Sequence, residues 1–120
     1  MAMLEYLNCS FGDENFKRIL TLREKNGKDE KAFHKVCVIG DAIIACGSLV
    51  ETEKGVFEIY GLFVQDHYNF NGLGTNIVKQ FKSKAKEMGA TEIFADVPIS
   101  AIRFFEKNGF AVDGVSFPKG

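Results

Sequence analysis

The sequence predicts an α/β domain: a central mixed β-sheet of about six strands flanked by about three helices. Three observations carry this prediction. Strand-like apolar runs, rich in β-branched and aromatic residues, recur from Met3 to Phe117. The segment Leu73 to Met88 carries Ile77, Val78, Phe81, Ala85 and Met88 at helical spacing and stops at Gly89. A strand, that helix and a further strand follow one another from Val56 to Val97, a crossover that makes the two strands parallel, whereas short turns upstream make antiparallel hairpins. At 120 residues, 46% hydrophobic and with a net charge of -1, the chain fits one domain over residues 1–120.

In chain order, Met3 to Cys9 reads as a first strand. Asp13 to Lys25 follows as a helix holding Phe16, Ile19, Leu20 and Leu22, stopped by Asn26-Gly27. Lys28 to Ala32 is charged and reads as a loop. Lys35 to Ile39 and Ala42 to Val50 form a hairpin across Gly40-Asp41, and Glu53-Lys54-Gly55 turns into the strand Val56 to Val64. That strand is apolar on both faces, which places it inside the sheet. After the Gln65 to Asn71 loop and the long helix, Thr91 to Val97 is a strand ended by Pro98. Ser100 is placed to cap a short helix with Ala101, Ile102, Phe104 and Phe105, which ends at Asn108-Gly109; Phe110 to Phe117 is the last strand.

Composition excludes several functions. The charge is near balance without a Lys/Arg-rich block, so nothing draws the chain to nucleic acid; Lys79, Lys82, Lys84 and Lys86 form a solvated helix face. MAMLEYLNCSF lacks a basic segment before an apolar run, and Ala42 to Val50 is too short to span a bilayer, so no signal peptide or membrane contact is expected. Cys9, Cys37 and Cys46 form no Cys-x-x-Cys pair and suit a reducing cytoplasm, with Cys37 and Cys46 as small core residues. His34 and His67 have no partners at ligand spacing, so no metal is expected.

Two features point to chemistry. Gly72 and Gly74 sit where the loop becomes a helix, and exposed first-turn N–H groups with the helix dipole form a natural seat for phosphate. A dinucleotide fingerprint needs a third glycine where this chain has Ile77, and a P-loop needs Lys-Ser/Thr where it has Thr75-Asn76. A tight turn alone is the other reading of the pair. Glu58 is an acid inside an apolar strand, and a buried carboxylate must be paired, hydrated or functional. An exposed edge position, a paired acid and a catalytic acid all satisfy the sequence. Gly61, in the same strand, marks a bulge or a close backbone approach.

Two stretches resemble a known family at the right separation. LFVQDHYNFNGLGTNIV is similar to motif A of the GNAT superfamily of acyl-CoA-dependent N-acyltransferases, Arg/Gln-x-x-Gly-x-Gly/Ala at a helix start, with Asn69 at the first position and Gly72 and Gly74 as the glycines. AIRFFEKNGF resembles motif B, Ala-x-x-Phe-Tyr-x-Lys-x-Gly-Phe, and matches it at Ala101, Phe104, Lys107, Gly109 and Phe110. The resemblance covers roughly the last two thirds of the chain and implies the GNAT-like fold.

It also implies an acetyl-CoA site in a cleft where the Val56–Val64 strand splays from Thr91–Val97. The backbone of Leu62, Phe63 and Val64 would pair with the pantetheine arm as an added strand does. Pyrophosphate would sit on the N–H groups of Asn69, Phe70, Asn71, Gly72, Leu73, Gly74 and Thr75, with Phe104, Phe105 and Lys107 beside the cofactor. Glu58 falls where the family often has the general base that deprotonates the acceptor amine, directly or through water. A backbone N–H near Phe63 or Val64 would meet the oxyanion.

Three departures qualify the match. Phe105 replaces the tyrosine that protonates the leaving sulfur; a thiol pKa of about 8.5 makes thiolate a tolerable leaving group, and Tyr60, Tyr68 or water are the substitutes. Asn69 lacks the charge of arginine, and Pro98 stands where many members have an asparagine. The implied activity is acetyl transfer from acetyl-CoA to a primary amine of a small molecule or peptide. The alternative is a non-catalytic GNAT-like module that binds acyl-CoA or a protein. Family members often dimerise through sheet edges, so a homodimer is among the assemblies the resemblance allows.

Overall fold

The computed structural model describes residues 3–68 and 72–112. Its sheet has five strands in sequential order: β1 (Leu4–Cys9), β2 (Phe33–Ile39), β3 (Ala42–Glu53), β4 (Val56–Val64) and β5 (Glu92–Phe94). The helices are α1 (Glu14–Ile19), α2 (Leu73–Glu87) and α3 (Ile102–Lys107). β1 to β4 are joined by antiparallel pairing, with Ile39 opposite Ala42 and Glu53 opposite Val56 across two-residue turns. The crossover through α2 makes β4 and β5 parallel, so the mixed sheet follows from connection length.

The helices cover opposite faces. On one, Ile77, Val78, Phe81 and Ala85 of α2 pack on Leu49, Phe57 and Ile59, a continuous apolar cluster. Burying each of the larger side chains stabilises the fold by about 1.5–3 kcal/mol. On the other, Phe16 and Ile19 of α1 meet Cys9, Val36, Val38 and Cys46. Asp13 starts α1 by accepting the Phe16 N–H at 3.0 Å.

Several sequence expectations are corrected. α1 stops at Ile19 rather than Lys25, because the chain turns there to carry Arg23 onto Asp29, and Leu20 is left exposed. Lys28 to Ala32 is not a plain loop: Asp29–Lys31 form one turn of 3-10 helix with Asp29 fully buried. β5 is three residues long: it pairs with β4 at Val56, Phe57 and Glu58 and leaves the sheet after Phe94, while β4 runs on. Ser100 makes no side-chain cap; Ile99–Ala101 form a 3-10 turn and α3 begins after Ala101. The expected last strand shows no regular structure at Phe110 to Val112, and the remainder lies outside the described residues, so five strands are described rather than six. No described helix is long and apolar enough to cross a membrane.

Candidate active site

The site is built on β4. Along its first half, Phe57 and Ile59 enter the apolar cluster under α2, so strand alternation turns Glu58 and Tyr60 to the opposite face. The register with β3 then slips: Ser48 lies opposite Tyr60 and Cys46 opposite Phe63, leaving Gly61 and Leu62 against Gly47 alone. This is a β-bulge, and Gly61 takes φ +63°, a conformation that disfavours any side chain. A Cβ on Gly61 would stand 2.7 Å from Arg23 Nε, so the glycine also makes room for a guanidinium. Beyond the bulge Leu62 and Val64 return to the α2 face, and Phe63 is exposed. Pairing to β5 has already ended at Glu58 opposite Phe94, so β4 runs on from Ile59 to Val64 without a described partner on that side.

Glu58 sits at this fork, 5% exposed. Its Oε1 accepts a hydrogen bond from Lys28 Nζ at 2.7 Å. The burial excludes the exposed edge position that the sequence left open, and Glu58 is a paired acid whose charge has a structural partner. The Lys28 side chain is 44% exposed and its Nζ lies 5.3 Å from the centre of the Tyr60 ring.

A polar layer lies behind this pair. His34, Ser48 and Tyr60 are neighbours across β2, β3 and β4. Asp29 is clamped above them: Arg23 Nη1 and Nη2 donate to its two oxygens at 3.1 and 2.9 Å, Tyr60 Oη at 2.6 Å and the Asn26 N–H at 2.8 Å. His34 Nε2 faces the Asp29 carbonyl at 2.8 Å and so carries the proton; Nδ1 accepts from Ser48 Oγ at 2.7 Å. Arg23 Nη2 also donates to Ser48 Oγ at 3.2 Å, while buried Nε has no partner among the described residues.

Burial alone would raise the Asp29 pKa, but hydrogen bonds from Arg23, Tyr60 and the Asn26 amide outweigh it and hold the carboxyl below the ordinary range. Burial pushes the Tyr60 phenol up, and its bond to Asp29 pushes further. Tyr60 is thus committed as a donor to Asp29, which corrects its listing as a substitute acid for the leaving sulfur. Tyr68 packs against the apolar cluster.

At the other end of the fork stands the start of α2. Gly72 is its N-cap at φ +70°, with no side-chain cap and no acid in the first turn. No described atom lies within 4 Å of where its Cβ would be. Gly74 differs: Phe104 Cζ is 3.1 Å and Val64 Cγ2 3.5 Å from its Cβ position, so this glycine lets Phe104 press onto the helix. Of the glycine pair, Gly72 alone presents open backbone. Leu73 is buried and Thr75 partly so; Asn69, Phe70 and Asn71 lie outside the described residues. Phe105, 6% exposed, is in the core, edge-on to both Phe104 and Phe110 at 5.2 and 5.3 Å between ring centres. Lys107 is exposed at the end of α3.

Arg23, Lys28, Asp29, His34 and Ser48 escape the sequence reading of the site. Residues 23, 29, 48 and 60 meet only through the fold, and Gly61 inside a strand is the single local signal that something approaches there. The cysteines have no role in it: burial pushes the Cys9 and Cys46 thiols up to about 12 and about 11, and all three are free and buried. No described cluster of His, Cys, Asp or Glu has the makings of a metal site.

Comparison with known proteins gives the same fold. Glucosamine-6-phosphate N-acetyltransferase from Arabidopsis thaliana superposes with a TM-score of 0.75 over 98% of each chain at 14% identity. A GNAT family acetyltransferase from Elizabethkingia anophelis, with acetyl-CoA bound, superposes with a TM-score of 0.75 over 92% of this chain and 78% of its own at 16% identity. Glucosamine 6-phosphate N-acetyltransferase 1 of Dictyostelium discoideum is 32% identical over 79 residues, 61% of this chain. The chain spans about half the length of that curated relative, 50%. The acetyltransferase (GNAT) family matches residues 1–110, and the chain belongs to it.

Proposed function

We propose that this chain transfers the acetyl group of acetyl-CoA to a primary amine by direct attack in a ternary complex. The observation that carries the reading is the fork: β4 loses β5 at the residue that bears a buried carboxylate, leaving a strand edge without a partner among the described residues that leads toward a helix start with no side-chain cap among them. An extended arm fits such an edge by backbone pairing at Leu62, Phe63 and Val64. A pyrophosphate fits the first-turn N–H groups from Gly72 to Thr75; Asn69, Phe70 and Asn71 lie outside the described residues and join the proposal on the family resemblance alone. The open backbone at Gly72 supports this fit. Phe104 walls the helix start and Phe105 backs it from the core, while for Lys107, at the far end of α3, the family resemblance alone supports a place beside the cofactor. Bound there, acetyl-CoA supplies a thioester to the acceptor.

Glu58 is the general base of this reading. Its low exposure removes competing water, and a base must come within about 2.6–3.2 Å of the proton it takes. Lys28 shows that an amine nitrogen reaches that range. Phe105 has no acidic proton, so the sulfur leaves as thiolate or takes its proton from water or Tyr68. The names of the Dictyostelium and Arabidopsis proteins support a small-molecule amine such as a phosphorylated amino sugar. A second reading, a non-catalytic acyl-CoA-binding or protein-interaction module, is favoured by one observation: Lys28 already neutralises Glu58.

Thiol release from acetyl-CoA across a panel of primary amines tests the proposal. Release is expected with at least one amine, and Glu58→Gln is expected to lower turnover ~10²–10⁴-fold and flatten its pH dependence. Thermal stabilisation by acetyl-CoA without release from any amine selects the second reading. No stabilisation at millimolar cofactor sinks both.

A further inference from the structure

We propose that Lys28 is itself an acetyl acceptor, modified in cis with acetyl-CoA as donor. This rests on Glu58 being the base. The ε-amine is a primary amine lying 2.7 Å from Glu58 Oε1, inside the contact distance that a free acceptor must achieve. It is half-exposed, beside a carboxylate that is itself buried.

The backbone that carries Lys28 is not free to drift. Asp29, the next residue, is fixed by Arg23, Tyr60 and the Asn26 amide, and its carbonyl by His34. The Tyr60 ring flanks the ammonium as well. A tethered amine held this way is presented at high effective concentration.

Other cations lack this arrangement. Among the described ion pairs, Lys17 meets Glu14 at 3.8 Å with both exposed, and Arg23, on Asp29, has no deprotonated form to attack with. Lys35, whose pKa burial lowers, hydrogen-bonds Gln80 and has no carboxylate partner among the described residues. It is the lysine that intrinsic reactivity favours, and so a built-in control.

The step balances without an oxidant or reductant. The ammonium gives one proton to Glu58, the freed lone pair forms a C–N bond to the acetyl carbonyl carbon, and the C–S bond breaks. The nitrogen loses its second proton as the amide forms. The thiolate takes up one proton, and the net products are Nε-acetyl-lysine, free thiol and one proton. The product leaves a neutral amide beside Glu58 where a cation stood.

The test is incubation of the full chain with acetyl-CoA, with peptide mass mapping at each lysine and thiol release on an amine panel run alongside. Lys28 is expected to be acetylated at least about 10²-fold faster than Lys35 or the α2 lysines, with a first-order rate independent of protein concentration, and Glu58→Gln is expected to remove that advantage. Lys28→Arg keeps the ion pair and should abolish the modification while a thermal melt reports an intact fold. Acetylation that follows exposure or the intrinsic reactivity of Lys35 overturns the inference. So does an unmodified Lys28 beside rapid acetylation of a free amine, which leaves the proposed function standing. Absence of both reactions, with no stabilisation by acetyl-CoA, overturns the two together.

Discussion

The two faces of the sheet are held by different physics. Under α2, shape and water exclusion do the work, through Ile77, Phe81, Phe57 and their neighbours. On the face of α1, a polar layer of Arg23, Asp29, His34, Ser48 and Tyr60 replaces part of the apolar contact and positions the segment that carries Lys28. An apolar face tolerates small rearrangements, since contacts are many and undirected. A buried polar layer does not, because each donor left without its acceptor retains the full loss of hydration.

The sharpest way to break this comparison is to remove one member from each side. Asp29→Ala strands the Arg23 guanidinium and is expected to destabilise the fold by about 3–5 kcal/mol, read from urea unfolding. Ile77→Ala is expected to lower stability by about 2–5 kcal/mol through lost burial and a cavity. The distinction lies in function: the first should also release Lys28 from Glu58 and alter acetyl transfer, while the second should leave the pair in place. Equal effects on transfer would remove the distinction between the faces.

A smaller perturbation tests the contact between layer and strand. Gly61→Ala puts a methyl against Arg23 Nε on a residue with φ +63°, and strain of this kind is worth about 1–3 kcal/mol. Unchanged stability would mean that Arg23 moves freely.

Acid should act on the polar face first. Burial lowers the His34 pKa against the opposing pull of its Asp29 bond. A folded value below the unfolded one means that the stability contribution is fully present above pH of about 6.5 and is lost as pH falls through the folded value. Asp29, also depressed, adds a loss with the same sign in stronger acid. The unfolding midpoint should therefore begin to drop in mild acid, and His34→Gln should lose that first decline. A midpoint flat until the carboxylate range would assign the acid response to Asp29 alone.

The smallest effect on the rate, with a stability loss comparable to that of Gly61→Ala, is expected at Phe105→Tyr. The ring lies in the core against Phe104 and Phe110, so the added hydroxyl should lower stability by about 1–3 kcal/mol if it finds no partner and should leave the rate of acetyl transfer near that of the parent. An accelerated rate would show that the hydroxyl reaches the sulfur.

What periodicity encodes is legible from the sequence: the order of the described strands and helices, the α2 stripe as far as Ala85 (Met88, expected on it, is exposed at the helix end), the parallel crossover and the acid in β4 all follow from spacing and turn chemistry. The polar layer is not, because Arg23, Asp29 and Ser48 are ordinary surface-type residues until the sheet brings them within 3.2 Å. The same limit explains the two shortened elements. α1 and β5 have the pattern to continue, but the turn that brings Arg23 onto Asp29 ends the first, and the second leaves β4 after Phe94. The partner of Glu58 is hidden in a charged run that reads as loop.

The step in β4 beyond the end of its pairing with β5 can be traced to one surplus residue. Two residues, Gly61 and Leu62, answer to one across the ladder, Gly47, and the strand absorbs the excess as a jog. A chain lacking Gly61 would keep every neighbour on its proper side, since Tyr60 and Leu62 would then alternate in the ordinary way. It would lose the jog, and with it the groove that receives Arg23. The seat of that guanidinium thus hangs on an insertion that hydrophobic patterning alone would never require.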